Sequence, residues 1–193
     1  MDMSKSYISA AQEFLPDIDI VFDRFHIMQM MNKALDTIRK QECSLLNKED
    51  KKVLKGQRFL LLKNYSDLSE DDNISLNALF SVNIRLFQAH AIKEQLRLFW
   101  TKPKANGAAK FLFKWIDSAK RLKIEPLVKV ANCLENNFYH IISYFRHKIT
   151  NGKAEGLNNK IKTLKRQAYG FRDMEYFKLR LYHLHMQKSR LCG

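Results

Sequence analysis

Glu155 is the lone acid in NGKAEGLNNKIKTLKRQAYGFR, residues 151–172, a stretch otherwise rich in amides and cations. A carboxylate can hold a divalent cation through oxygen. Asn, Lys and Arg side chains can hold phosphate oxygens. Together they would present one acid and several phosphate-binding groups on a single surface. On a helical projection of about 100° per residue, Glu155, Asn158, Asn159, Lys162 and Arg166 fall on one side. Leu157, Ile161, Leu164 and Ala168 fall opposite, where they can pack on a core. The same pattern also fits a solvated amphipathic helix with an acid near its N-terminus, where the macrodipole favours it. The residues of this helix leave both readings open.

The elements around this helix are helical too. With only 6 Gly and 3 Pro, and apolar residues at helical spacing, the chain is expected to be mainly α. A turn at Thr150 to Gly152 opens the glutamate helix, and a Tyr169–Gly170–Phe171 break separates it from a last helix, Met174 to Gln187. Upstream, Ser4 can cap a short helix carrying Tyr7, Ile8, Ala11 and Phe14, which Pro16 stops. DIDIVFD, Asp17 to Asp23, is the one strand candidate. A helix from Phe25 to Leu46 follows, with Ile27, Met30, Met31, Leu35 and Ile38 as its apolar stripe. Further helices are expected at Lys51 to Leu62, Ser75 to Trp100, Ala108 to Lys123 and Glu125 to Lys148. A polar break spans Asn64 to Asn73, and TKPKANG follows Trp100. A lone strand cannot satisfy its own backbone, so the start reads as the tail of a larger α/β layer.

Charge narrows the partner. The net charge is +14, and between Arg146 and Arg190 twelve Lys or Arg face Glu155, Asp173 and Glu175, leaving +9 of it there. Nucleic acid is the natural partner for such a concentration, with an anionic membrane surface as runner-up. No apolar run is long enough to span a bilayer, and MDMSKSYIS lacks the core of a signal peptide. Cys43, Cys133 and Cys192 are odd in number and widely spaced, which fits free thiols in a reducing cytoplasm. His183 and His185 fall on different helix faces, so no zinc signature is present. Trp100 and Trp115 sit among apolar residues at helical spacing. They read as core more readily than as base-stacking residues. KKVLKGQRFLLLK, 51–63, reads either as a DNA contact or as a solvated basic edge.

Three stretches resemble one family. MDMSKSYISAAQEFLPDIDIVFDRFHIMQMMNKALDTIR, Met1 to Arg39, is similar to the second half of the catalytic core of bacterial insertion-sequence transposases of the ISL3 group. TNGKAEGLNNKIKTLKRQAYGFRDMEYFKLRL, Thr150 to Leu181, resembles the end of that core, and NIRLFQAHAIKEQLRLFW, Asn83 to Trp100, matches its helical insertion. The resemblance implies a DDE transposase with an RNase H-like α/β core. One strand near 18–22 would be retained, and a large all-helical insertion would interrupt the core. The implied division is 1–26 core, 27–148 insertion and 149–193 C-terminal core helices.

By the same resemblance, Asp2 matches the second metal-binding acid and Glu155 the last. Asp23 and His26 match an Asp-x-x-His motif that shapes the core beside the metals. Asn158, Asn159, Lys162, Lys165, Arg166 and Arg172 are the expected DNA-binding set. The implied cofactor is Mg²⁺ or Mn²⁺ in a two-metal site, and the implied partners are transposon ends and target DNA in the bacterial cytoplasm. A homo-oligomer or a full-length transposase is a further possible partner. The pattern's first aspartate has no counterpart here, and Met1 matches an internal position. The chain is therefore expected to be a C-terminal part that binds DNA and is inactive alone. The alternative is a basic helical DNA-binding or interaction protein that modulates a full-length transposase. Read without the resemblance, Asp2 is a frayed terminus or helix cap, Asp23 a cap, and His26 a structural histidine.

Overall fold

The computed structural model describes residues 3–45, 51, 56–150 and 152–190. They fall into two compact units, Met1–Ile149 and Thr150–Gly193. The first unit is built from α1 (Lys5–Phe14), α2 (Arg24–Leu45), α3 (Arg58–Leu62), α4 (Glu70–Val82), α5 (Ile84–Phe99), α6 (Ala105–Arg121), α7 (Glu125–Asn136), α8 (Phe138–Ile142) and α9 (Tyr144–His147). The second holds α10 (Gly152–Gln167) and α11 (Met174–Arg190).

Four helices close the core of the first unit: α2 packs on α5 and α7, and α6 packs on the same two. Their facing stripes bury Met31, Leu35 and Ile38 of α2, Leu86 and Leu96 of α5, Leu112 of α6, and Leu127 and Leu134 of α7. Each such side chain contributes about 1.5–3 kcal/mol by leaving water. Trp100 and Trp115 belong to this core. The Trp115 indole N–H donates to the Ile92 carbonyl at 2.9 Å, which satisfies its one polar atom.

Buried polar groups tie the helices together. Glu42 of α2 accepts from Asn83 Nδ2 at 2.9 Å and pairs with Arg85 at 2.9 Å. Asn83 also accepts the Leu86 amide proton at 2.9 Å, capping α5. The Lys93 side chain is fully buried. Its ammonium donates to the Leu61 and Lys63 carbonyls, both at 2.7 Å, and pairs with Glu94 at 2.9 Å. It thereby supplies donors to carbonyls at the end of α3 that lack helical partners. Burial lowers the Lys93 pKa, and Glu94 partly offsets this.

Several expectations need correction. Residues 18–22 form no strand, and no strand occurs among the described residues. A strand requires a neighbour to share its ladder. Instead Ile20 and Phe22 are buried, Phe22 N–H donates to the His140 carbonyl at 3.4 Å, and Asp19 meets His147 at 2.8 Å. The expected helix from Ser75 to Trp100 is two helices, because Asn83 turns extended (φ −144°, ψ 92°). Its first half starts earlier, at a capping box between Ser69 and Asp72, so the polar break contains a helix start. The segment from Glu125 to Lys148 divides into α7, α8 and α9. Ser4 does occupy the N-cap of α1, but its side chain makes no cap hydrogen bond. Of the expected helix at Lys51 to Leu62, residues 52–55 lie outside the described residues, Gly56 and Gln57 form a turn, and α3 is the helical part that is seen.

Candidate functional site

Glu155 lies in the first turn of α10 and is exposed. Asn158, Asn159, Lys162 and Arg166 are exposed along the same side of the helix. Of the apolar side, Leu164 is buried, Ile161 is half-buried, and Leu157 and Ala168 are exposed. The polar face is thus open along its length. It presents one carboxylate, two amides and two cations to solvent. Lys165 flanks it, its ammonium 5.2 Å from the centre of the Phe177 ring. Phe177 is buried and meets Phe171 at 4.8 Å, which anchors α11 to the chain leaving α10.

The end of α10 is built by its last carbonyls. Gly170 N–H donates to Lys165 O at 2.9 Å and Tyr169 N–H to Arg166 O at 3.1 Å, the pair of bonds of a Schellman motif. Tyr169 takes the left-handed position (φ 50°) that glycine usually fills, and Gly170 follows at φ 102°. The Tyr169 ring is wholly exposed. Arg172, just past the turn, is exposed as well. Asp173 then caps α11, its Oδ1 accepting from the Glu175 and Tyr176 amides at 2.8 and 3.1 Å.

The other candidate residues belong to the first unit. Asp23 is buried at the start of α2, and its Oδ1 accepts the Phe25 amide proton at 2.7 Å. That is the helix-capping role its position allows. His26 is half-buried in the first turn of α2, its ring edge-on to Phe25 at 5.6 Å. Asp2 lies outside the described residues. Among the described residues no three Asp, Glu, His or Cys side chains come together in a way that could hold a metal ion. Glu155 is one oxygen donor of the type Mg²⁺ prefers, and the described residues do not supply the rest. Cys43 and Cys133 are free thiols, and burial pushes the Cys133 thiol pKa up. No helix among the described residues is long and apolar enough to cross a membrane.

Sequence reading passed over one set of residues, the lysines on the outer face of α6. Their signal was present: residues 97–129 carry nine Lys or Arg against Asp117 and Glu125. The lysines lie between core positions, within a pattern dominated by apolar periodicity.

Residues 1–181 match the model of the ISL3-type DDE transposases, described as "Transposase". The transposase for insertion sequence element IS1001 of Bordetella parapertussis is 29% identical over 184 residues, covering 94% of this chain and 45% of that protein. The transposase for insertion sequence element IS1557 of Mycobacterium tuberculosis (strain CDC 1551 / Oshkosh) is 28% identical over 183 residues, covering 83% of this chain and 41% of that protein. The chain therefore spans less than half the length of the curated relatives it matches. No solved structure matches it.

Proposed function

The chain belongs to the ISL3 family of DDE transposases, and from that premise we propose that it contributes to DNA cleavage and strand transfer of an insertion sequence. The observation that carries this reading is the open polar face of α10, where Glu155 stands beside Asn158, Asn159, Lys162 and Arg166, all exposed. In the proposed roles Glu155 and Asp2 are metal-binding carboxylates. Asn158, Asn159, Lys162, Lys165, Arg166 and Arg172 hold the phosphates of transposon-end or target DNA. Asp23 and His26 support the start of α2 beside the site. Residues 1–26 and 149–193 are assigned to an RNase H-like core, and 27–148 to its helical insertion. The setting is the bacterial cytoplasm, and a second copy or a full-length transposase is a candidate partner.

Mg²⁺ or Mn²⁺, when bound, would activate an attacking oxygen and neutralise charge at phosphorus. The chain's own residues bind and orient the strand, through charge-assisted hydrogen bonds from Lys and Arg and neutral ones from Asn. Residues 1–193 contain two of the three expected carboxylates, so a protein of these residues alone is proposed to bind DNA without turning it over. The alternative, a helical DNA-binding modulator, draws on the same cations and needs no metal.

Two assays test these readings. DNA binding by the 193-residue protein should weaken when Lys162, Lys165 and Arg166 are reversed to Glu, and should survive Glu155→Gln. Incubation of element-end DNA with Mg²⁺ or Mn²⁺ should give no cleavage by this protein. Cleavage that disappears in Glu155→Gln would support the carboxylate's role and overturn the inactivity. Cleavage that persists in that variant would remove Glu155 from the chemistry.

A further inference from the structure

α6 presents a second concentration of cations, in the first unit of the chain. Its inner side buries Ala108, Leu112, Trp115, Ile116 and Ala119. Its outer side exposes Lys110, Phe113, Lys114, Asp117 and Arg121 at one-turn intervals. Some cations nearby are neutralised: Arg121 pairs with Asp117 at 2.8 Å, Lys120 with Glu135 at 2.6 Å, and Lys129 with Glu125 at 2.7 Å. Lys104, Lys110, Lys114 and Lys123 are exposed and enter no ion pair among the described residues.

The N-terminal end of α6 is the informative part. Lys104 occupies the N-cap without a side-chain cap bond, and the first turn holds no acid. Lys102 lies two residues earlier, its ammonium 4.5 Å from the Phe111 ring centre. Unpaired amides and the helix dipole already make this end positive, and acids are the favoured residues there. Lys104 and, further out, Lys102 add positive charge to that end. Gly107 leaves the helix bare beside them: a Cβ added there would meet nothing within 4 Å.

We propose that the outer face of α6, through Lys110 and Lys114 together with Lys104 at its N-cap and Lys123 just past its end, is a second surface for the phosphate backbone of duplex DNA. The proposal rests on reading the chain as a DNA-acting transposase. The helix's 17 residues extend about 25 Å, matching roughly seven base-pair steps along the backbone. The contact carries no base readout, because lysine meets phosphate as a point charge. An anionic membrane fits less well. The apolar side of α6 is already buried, which leaves Phe113 as the large apolar group on the outer face.

The test is fluorescence anisotropy of the 193-residue protein with a duplex of about 25 base pairs across a salt series. In Lys104→Gln/Lys110→Gln/Lys114→Gln, the slope of log K against log salt should become shallower by about 2–3, equally for unrelated sequences. The single variants should each change it by about 1. The triple Lys→Arg variant should keep the wild-type slope, and Phe113→Ala should bind DNA as the wild type does. Unchanged affinity and slope in the Gln variants would overturn the proposal. If Lys162→Gln/Lys165→Gln/Arg166→Gln still weakens binding in that case, the α10 reading stands alone; if neither set matters, both fail. Binding to phosphatidylserine vesicles that Phe113→Ala abolishes, with DNA binding insensitive to the lysines, would reassign the face to a membrane.

Discussion

The imidazole of His90 is buried in α5, its ring 5.2 Å from that of Phe80. Burial, aided by the charge on Lys93, lowers its pKa from 6.5 to about 4, against a smaller opposing effect of Glu94. Between these values the unfolded chain binds a proton that the folded one does not, so stability falls as pH drops from 6.5 towards 4. The loss approaches about 3 kcal/mol and levels off below pH 4. His90→Leu should flatten this part of a chemical-denaturation profile measured at stepped pH. A wild-type profile already flat from pH 6.5 to 4 would refute the assignment. Asp36 has a different signature. Burial raises its pKa, but hydrogen bonds and charge from Arg39 and Lys40 outweigh that and hold it below 3.8. The stability it contributes is lost only as pH falls through that lower range. Neither residue was marked by the sequence, since burial of a polar side chain depends on what other helices bring to it. Glu155 was marked, because it is the one acid in a basic stretch and lies on an exposed face.

Helix existence was readable from periodicity, whereas helix interruption was not. Apolar spacing runs smoothly through Asn83, where the tertiary bond to Glu42 and the cap bond from the Leu86 amide favour a turn over continuation. The strand expectation failed for a related reason: an alternating segment takes up sheet structure only beside a partner, and residues 18–22 have none among the described residues. The break at Tyr169–Gly170 was legible because Gly is a common helix terminator, although the left-handed cap position is taken by Tyr169. An L-residue there costs about 1–2 kcal/mol, and the exposed ring recovers none of it by packing. Tyr169→Gly should therefore raise the stability of the second unit by about 1 kcal/mol, read as slower amide exchange in α10. Exchange that stays the same or speeds up would refute the strain assigned to Tyr169. At α3, Lys93→Met should cost about 2–4 kcal/mol, because the Leu61 and Lys63 carbonyls lose a charged donor. Urea titration measures it, and a loss under 1 kcal/mol would mean that water replaces the ammonium.

At the scale of the whole chain, composition points to an anionic partner before any element is placed. The net charge is +14, and among the described residues most cations are exposed while the core is mainly apolar, with Lys93 the buried exception. With about six phosphates neutralised, DNA affinity should fall on the order of 10³-fold between about 50 and 200 mM salt. Insensitivity to salt over that range would contradict a backbone-dominated contact. The division into Met1–Ile149 and Thr150–Gly193 lay beyond periodicity, because it depends on which helices share a core. Lys93 gives this molecule a further property. A basic protein offers many amines to an acylating reagent, and the exposed ones react at once. The Lys93 amine, wholly enclosed and held by two carbonyls, reacts only after the α3–α5 contact opens. Its slow acylation, followed by peptide mass spectrometry, is an intrinsic clock for that opening. The time it keeps should lengthen if DNA binding steadies the first unit and stay constant if DNA touches only the second.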